Sequence, residues 1–386
     1  MISKYTQICP VTFGRGAVDK TGELVKGCGL SRVLVVSDKG VIAAGHTERA
    51  IRALNTADVE TVLFDEVEMD APDFTITRGA EKGLAEGVDG VVGVGGGSSL
   101  DSAKAIALLM ANPDADIYKL IRFDPANPFH AAPALPTVMV PTTSGTGSEV
   151  TFVAVIEDTE RRVKSGCLIF PKQAVLDPEL TLTVPKDVTA YTGMDAFSHA
   201  SEALASVGIN PHSDLLAMDA IRRIIRWLPV AVEEPDNYEA RENLALAANF
   251  AGKAFQDSTV NVGHSIAHAL GAAFTIPHGI GCALATPVVE ERVASSRPET
   301  FSEIARLLGA EDVKLEDPEL GRKLGDALRG FLRKVGIPSL SELHVTREMC
   351  ISLTERVASD RMRFACSVQL SPEDIAQMMA DVYDKY

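Results

Sequence analysis

The chain has 386 residues, of which 46% are apolar, too many for one small core and enough to fill two. Its formal net charge is −16. Nucleic acids and anionic membrane surfaces would repel such a chain, and both are excluded as partners. No apolar run approaches the ~20 residues that span a bilayer. The opening MISKYTQICPVTFGRG has no apolar signal-peptide core, and there is no internal repeat. The six cysteines (Cys9, Cys28, Cys167, Cys282, Cys350 and Cys366) form no C-x-x-C pair. Scattered thiols of this kind fit a reducing, cytoplasmic setting.

Up to about residue 180, short β-branched runs alternate with helical segments. Strands are expected over 32–37, over ETVLFDEV, over VDGVVGVGGG and over PTVMVP; helices are expected over 47–55, 75–86 and 99–110. Alternation of this kind predicts a parallel sheet covered on both faces, with ligands bound at the carboxyl ends of its strands. Two loops stand at such ends. The first, GVGGGSS, contains Gly95, Gly96, Gly97 and Ser98 and runs straight into a helix. Glycines let a backbone approach a phosphate, and the helix start offers free N–H groups and a positive dipole end. It is not a strict G-x-G-x-x-G, because Ser98 stands where the last glycine belongs, and glycine turns are common without a ligand. The second loop holds Thr142, Thr143, Ser144 and Thr146, whose hydroxyls suit phosphate or ribose oxygens but also suit an ordinary polar turn. Asp38 ends the first clear strand. It is either a turn residue or the carboxylate that bonds a ribose and repels a 2′-phosphate, although it precedes the glycine loop instead of following it.

Beyond about Pro185 the β signal fades. Helices are expected over 189–205, 213–228, 238–255, 262–273, 322–335 and 372–385, with Pro211, Pro229, Pro287 and Pro338 at helix boundaries and His212 in a loop. The expected domains are therefore 1–182, an α/β unit, and 183–386, a helical one. The helical part carries Asp195 and His199 at i and i+4, His264 and His268 at i and i+4, and His278 just after Pro277. Such pairs share a helix face and aim two groups at one point. A mixed His and Asp set suits zinc or ferrous iron. A histidine in an apolar helix is also commonly a hydrogen-bonded core residue, and the spacing is not H-E-x-x-H, so spacing alone leaves both readings open.

The wording GGGSSLDSAKAIAL, PTTSGTGSEVT, AVLDPELT, GMDAFSHASEA and GHSIAHALGAAFTIPHG resembles the iron-containing (group III) alcohol dehydrogenases over essentially the whole length. The resemblance implies a Rossmann-like dinucleotide-binding α/β domain followed by an all-helical metal-binding catalytic domain. It implies Asp195, His199, His264 and His278 as ligands of Fe(II), with Zn also able to occupy the site, and His268 as the group that moves a proton. It further implies Gly95, Gly96, Gly97 and Ser98 at the NAD pyrophosphate. Thr142, Thr143, Ser144 and Thr146 fall in the second nucleotide loop, Lys164 at the cofactor ribose, Leu182 beside the nicotinamide and Asp38 as the acid favouring NAD. A homodimer or larger homo-oligomer is implied as well.

The expected reaction is hydride transfer between NAD(H) and a small primary alcohol or aldehyde, in the cleft between the two domains. Many relatives read Asn-Pro-Arg where this chain has Cys366-Ser367-Val368, and Thr275 replaces a histidine common before the final Pro-His-Gly. Both departures bear on the substrate, so a small polyol, a hydroxy acid or an aldehyde with a carboxylate, sulfonate or phosphonate tail stands as the alternative. Arg361 or Arg363 would then hold the anion; otherwise they pair with acids such as Asp360 or Glu373, and Phe152 and Phe255 line an apolar pocket. A lyase, or a non-catalytic nucleotide-binding assembly protein, would fit less of the histidine set.

Overall fold

The computed structural model describes residues 3–6, 9–122, 131–315 and 317–386. The chain divides into two compact units, Gln7–Val184 and Pro185–Tyr386, the latter joined by Met1–Thr6. The short N-terminal arm is tied to the helical unit by Thr6 N–H donating to Asp257 (2.8 Å), Asn210 Nδ2 donating to the Lys4 carbonyl (2.9 Å) and Tyr5 stacking on His212.

The first unit holds β1 (Val11–Phe13), β2 (Arg32–Val36), β3 (Glu60–Phe64), β4 (Gly90–Gly95), β5 (Thr137–Pro141), β6 (Val153–Asp158), β7 (Val163–Leu168) and β8 (Gln173–Leu176). Its helices are α1 (Thr21–Gly27), α2 (Lys39–Ala43), α3 (His46–Thr56), α4 (Asp73–Ala85), α5 (Gly97–Met110) and α6 (Ile117–Ile121). Six strands form a parallel sheet in the order β1-β8-β5-β4-β2-β3. β4 and β5 are buried along their whole length, so their sequences read as unbroken apolar runs without alternation. Successive residues face opposite layers. Leu34, Val36, Val91 and Met139 pack with Phe64, Ile76 and Ile106; Val33, Val35, Val92, Val94 and Val138 pack with Val25 and Leu54.

The chain runs outward from β2 to β3, then returns to place β4 against the other side of β2 and moves on to β5. The carboxyl ends of β2 and β4 therefore flank the switch point of the sheet, where open α/β sheets take ligands. An antiparallel hairpin, β6–β7, lies outside this sheet and is absent from the sequence expectation. Its first strand alternates, with Ala154, Ile156 and Asp158 inward.

The second unit is built from α7 (Lys186–Leu204), α8 (Pro211–Glu233), α9 (Tyr238–Ser258), α10 (Val262–Phe274), α11 (His278–Val293), α12 (Pro298–Leu307), α13 (Leu320–Val335), α14 (Arg347–Ile351), α15 (Thr354–Ser359) and α16 (Pro372–Asp384). Three expectations need correction here. His212 is not in a loop: Asn210 caps α8 by accepting from its N–H, and Pro211 takes the first helical position. Pro229 and Pro287 do not end helices but sit inside α8 and α11. Both are buried, and the packing around them outweighs the one ladder hydrogen bond each removes. α11 and α12 were not anticipated. α11 is buried on nearly all sides and so lacks the amphipathic period that marks a surface helix. Among the described residues, no helix is long and apolar enough to cross a membrane.

Candidate active site

The helical unit gathers a buried cluster of donor atoms. α7 brings Asp195 and His199, α10 brings His264 and His268, and α11 begins at His278. Small residues let these helices close up: a Cβ on Gly279 would meet the Tyr191 carbonyl oxygen of α7 at 2.3 Å. One donor atom each from Asp195, His264, His278 and Cys282 lies within 4.8 Å of all the others. Asp195 Oδ1 is 3.5 Å from His278 Nε2, and Cys282 Sγ is 3.5 Å from His278 Nε2 and 3.8 Å from His264 Nε2. Asp195 and His264 are each 3% exposed. Asp195 Oδ1 is buried with no hydrogen-bond partner among the described residues. A buried carboxylate in that condition is costly unless a cation meets it, so the donor set fits a divalent metal.

His199 lies beside this group and is not one of its four members. Its Nδ1 is 3.8 Å from Asp195 Oδ2, and its ring stacks on Phe255 at 4.4 Å and lies 4.6 Å from the His264 ring. The His268 ring is 5.3 Å from His278 and edge-on to His264 at 6.1 Å. Two members of the neighbourhood were not anticipated. Cys282 follows His278 by one helical turn, and Glu202 follows His199 by three residues; that spacing was the available signal.

Glu202 braces the cluster from behind. It lies 2.7 Å from His264 Nδ1 and accepts from the Asn261 N–H. A Cβ on Gly263 would fall 2.5 Å from Glu202 Oε1, so glycine is needed for this approach. Burial disfavours a charged His264, but the Glu202 carboxylate, with Asp195 behind it, outweighs burial and holds its pKa above the ordinary value. Farther along α11, Glu290 has both carboxyl oxygens buried. Burial pushes it up to about 8, with the Ser201 hydroxyl opposing and the Glu202 charge adding.

The α/β unit builds a second site at its switch point. Gly95 ends β4 with φ +151°, a backbone conformation open to glycine, and Gly96 precedes the first turn of α5. The two predicted loops touch: Thr142 N–H donates to the Gly95 carbonyl at 2.9 Å, and a Cβ on Gly97 would meet Thr146 Cγ2 at 2.6 Å. Gly96 faces Thr143 in the same way at 3.4 Å, and the buried Ser144 hydroxyl has no partner among the described residues. This cradle, with the N–H groups of the first turn of α5, fits a dinucleotide pyrophosphate.

Asp38 lies at this cradle despite preceding it in sequence, because β2 is the neighbour of β4. Its Oδ1 caps α2 by accepting from the N–H groups of Gly40 and Val41, and its Oδ2 accepts from Ser99 Oγ at 2.9 Å. Lys164 on β7 pairs with Asp70 at 2.5 Å, and the Asp70 N–H donates to Ser98 Oγ at 3.1 Å. Asp70 thus links two predicted cofactor residues, and it was not anticipated. Leu182 is half-buried and closes the turn after β8, its N–H donating to the Glu179 carbonyl.

The substrate residues fare less evenly. Phe255 stands over His199, whereas Phe152 belongs to the α/β unit and packs against Phe170 at 5.6 Å. Arg361 is exposed, and Arg363 donates to the Leu370 carbonyl at 3.0 Å with its guanidinium 4.1 Å from the Phe364 ring. Asp360 does not take either arginine in the contacts seen; it caps the turn by accepting from the Met362 N–H.

Comparison with known proteins agrees with this layout. Residues 10–178 match the family model "Iron-containing alcohol dehydrogenase", and residues 189–383 match "Fe-containing alcohol dehydrogenase family, C-terminal". The chain is 34% identical over 370 residues to an NAD-dependent methanol dehydrogenase of Bacillus methanolicus, covering 95% of this chain and 96% of the relative. A crystal structure of 1,3-propanediol oxidoreductase superposes with a TM-score of 0.92 at 32% identity, covering 99% of this chain and 100% of that one. A sulfoacetaldehyde reductase from Bifidobacterium kashiwanohense, in complex with NAD+, superposes with a TM-score of 0.88 at 28% identity over 100% of both chains. With both of its halves matched, the chain belongs to the iron-containing alcohol dehydrogenase family and is an oxidoreductase that uses NAD and iron.

Proposed function

We propose that the chain reduces small, uncharged primary aldehydes, and oxidises the matching alcohols, with NAD(H). The observation that carries this reading is the convergence of Asp195, His264 and His278 on one buried point, in a chain matched by the family along both halves. In this reading Asp195, His199, His264 and His278 hold the iron, and residues 183–386 form the metal domain. Residues 1–182 form the dinucleotide domain. The bound iron supplies a Lewis acid for an alcohol or carbonyl oxygen, and NAD carries the hydride.

The side chains do the rest. Gly95, Gly96, Gly97 and Ser98 with the first turn of α5 receive the pyrophosphate, and Thr142, Thr143, Ser144 and Thr146 line the adjoining loop. Asp38 takes the ribose hydroxyls and disfavours a 2′-phosphate; Lys164 serves the ribose and Leu182 the nicotinamide edge. His268 moves the hydroxyl proton toward solvent, an imidazole being able both to accept and to donate a proton. Phe255, stacked over His199, keeps water from that side of the cluster. The engagement of Arg363 with Leu370 and Phe364 supports an uncharged substrate over an anionic one. The six free thiols support a reducing, cytoplasmic setting, and a homo-oligomer is the assembly expected of the resemblance.

The test is NADH oxidation against a series of short aldehydes, with Fe(II) and Zn(II) supplied separately. Turnover of unbranched neutral aldehydes, dependent on metal, is the expected result. No oxidation with any aldehyde and either metal would overturn the reading.

A further inference from the structure

We infer that Asp70 is a positioning residue of the nucleotide site: it sets the Lys164 ammonium and the Ser98 hydroxyl as two donors beside the start of α5. The inference rests on the dinucleotide site proposed above and adds a residue that lies in neither of its loops.

The first ground is how the chain is held at this point. Asp70, between β3 and α4, has φ +68°, and Ala71 after it has φ +51°. Left-handed backbone is tolerated by Asp but costly for Ala, so this turn persists only because its surroundings hold it. The β6–β7 hairpin supplies the hold. The Glu157 N–H is shared between the Asp70 and Ala71 carbonyls at 3.2 Å each. Thr159 donates to the buried Asp73 carboxylate from its N–H and from its hydroxyl, both at 2.9 Å. Lys164 stands opposite Glu157 in the hairpin register, so docking the hairpin on this turn carries the lysine to Asp70.

The second ground is that Asp70 makes two contacts with the site residues. Its carboxylate meets Lys164 Nζ at 2.5 Å, and its N–H donates to Ser98 Oγ at 3.1 Å. A hydroxyl that accepts this bond keeps its own proton for another acceptor, and an ammonium with one N–H engaged keeps two. Ser98 lies in the first turn of α5, whose N–H groups have no partner within the helix. Asp70 thus organises two side-chain donors at the rim of the cradle, where phosphate or ribose oxygens would be received. The third ground is energetic. A lysine stem loses much rotamer freedom on binding a ligand, and holding it beforehand removes that cost. The Asp70 charge also repels an anionic cofactor, but its side chain is 43% exposed against 14% for Lys164, so salt screens that repulsion.

The test is a double-mutant cycle on NADH affinity in the full chain, with Asp70→Asn, Lys164→Met and the two combined, read by NADH fluorescence. Asparagine tolerates the left-handed turn and keeps the N–H that reaches Ser98, so Asp70→Asn removes the charge alone. The titrations are run at about 1 M salt, where charges are screened within ~3 Å and direct repulsion of the cofactor is suppressed. With Lys164 present, Asp70→Asn should raise the NADH Kd by roughly 3–10-fold. In the Lys164→Met background the same change should leave the Kd as it is, because the group being positioned is gone. An unchanged or lower Kd with Lys164 present overturns the inference. So does an equal loss in both backgrounds, which is what a merely structural role would give. A wild-type chain that binds NADH but is indifferent to Asp70→Asn overturns this inference alone, whereas a wild-type chain that binds no NADH overturns the dinucleotide site with it.

Discussion

His264 Nδ1 lies 2.7 Å from a carboxylate oxygen of Glu202. A carboxylate only accepts, so the proton sits on Nδ1 and Nε2 presents its lone pair to the Asp195–His278–Cys282 side of the cluster. Glu202→Ala should therefore lower metal affinity by roughly 10–100-fold, the usual effect of removing such a brace. NADH binding, which we assign to the other unit, should not change. Metal titration and NADH binding measured on the same variant check both halves of this expectation.

Asp38 caps α2, and we assign it a second job, discrimination against a 2′-phosphate, which one substitution can separate from the first. Asn caps a helix about as well as Asp, so Asp38→Asn keeps the start of α2 while removing the charge that opposes a 2′-phosphate. The ratio of kcat/KM for NAD over NADP should fall by roughly 10-fold or more, about 1.4 kcal/mol of discrimination or greater. An unchanged ratio would mean that Asp38 is a capping residue only.

Lys104 is completely buried in α5. Its Nζ donates to Ser148 Oγ (2.8 Å) and to the Val153 carbonyl (2.9 Å), with Asp101 Oδ1 at 3.5 Å. Asp101 also accepts from the Val155 N–H and from Ser148 Oγ. This network ties the helix that starts at the glycine loop to the end of the second loop. Asp101→Ala removes the nearer of the two carboxylates that offset the buried ammonium, leaving Glu149 alone, which should cost up to about 3–5 kcal/mol of stability and loosen NAD binding. Denaturant unfolding and NADH titration measure the two effects.

Glu290 predicts a pH dependence. Its folded pKa is about 8 against an ordinary 4.5. Between those values the native chain holds a proton that the unfolded chain has released, so stability falls as pH rises through this window and levels off above it. Glu290→Gln removes the penalty. Its gain in stability, read as a rise in Tm, should be small at the acid end, grow toward about pH 8 and then stay constant, with an upper bound of roughly 4–5 kcal/mol in unfolding free energy. Thermal unfolding of both proteins across that range decides it; a constant difference at all pH values would contradict the assignment.

Much of this was legible in the sequence, for identifiable reasons. The parallel sheet announced itself through alternating strand and helix text, and the i, i+4 pairs put Asp195 with His199, and His264 with His268, on shared helix faces. Asp38 was ambiguous because sequence order and sheet order differ: only the placement of β2 against β4 brings it to Gly95. α11 stayed hidden because a helix buried on nearly every side has no polar face to give it a period. With α11 unseen, Cys282 had no reason to be grouped with His278. Asp70 was invisible for a related reason. It acts through tertiary contacts to Lys164 and Ser98 that no local pattern encodes.

The central claim is that the buried donors of the helical unit hold a metal on which NAD-linked turnover depends. The most direct measurement strips the purified full chain of metal under anaerobic conditions and follows NADH oxidation with a short aldehyde, before and after adding one equivalent of Fe(II). His264→Ala is carried in parallel. The account predicts no turnover by the stripped protein, recovery with the added metal, and neither binding nor recovery in His264→Ala. Undiminished turnover by metal-free protein, or full recovery by His264→Ala, would contradict it.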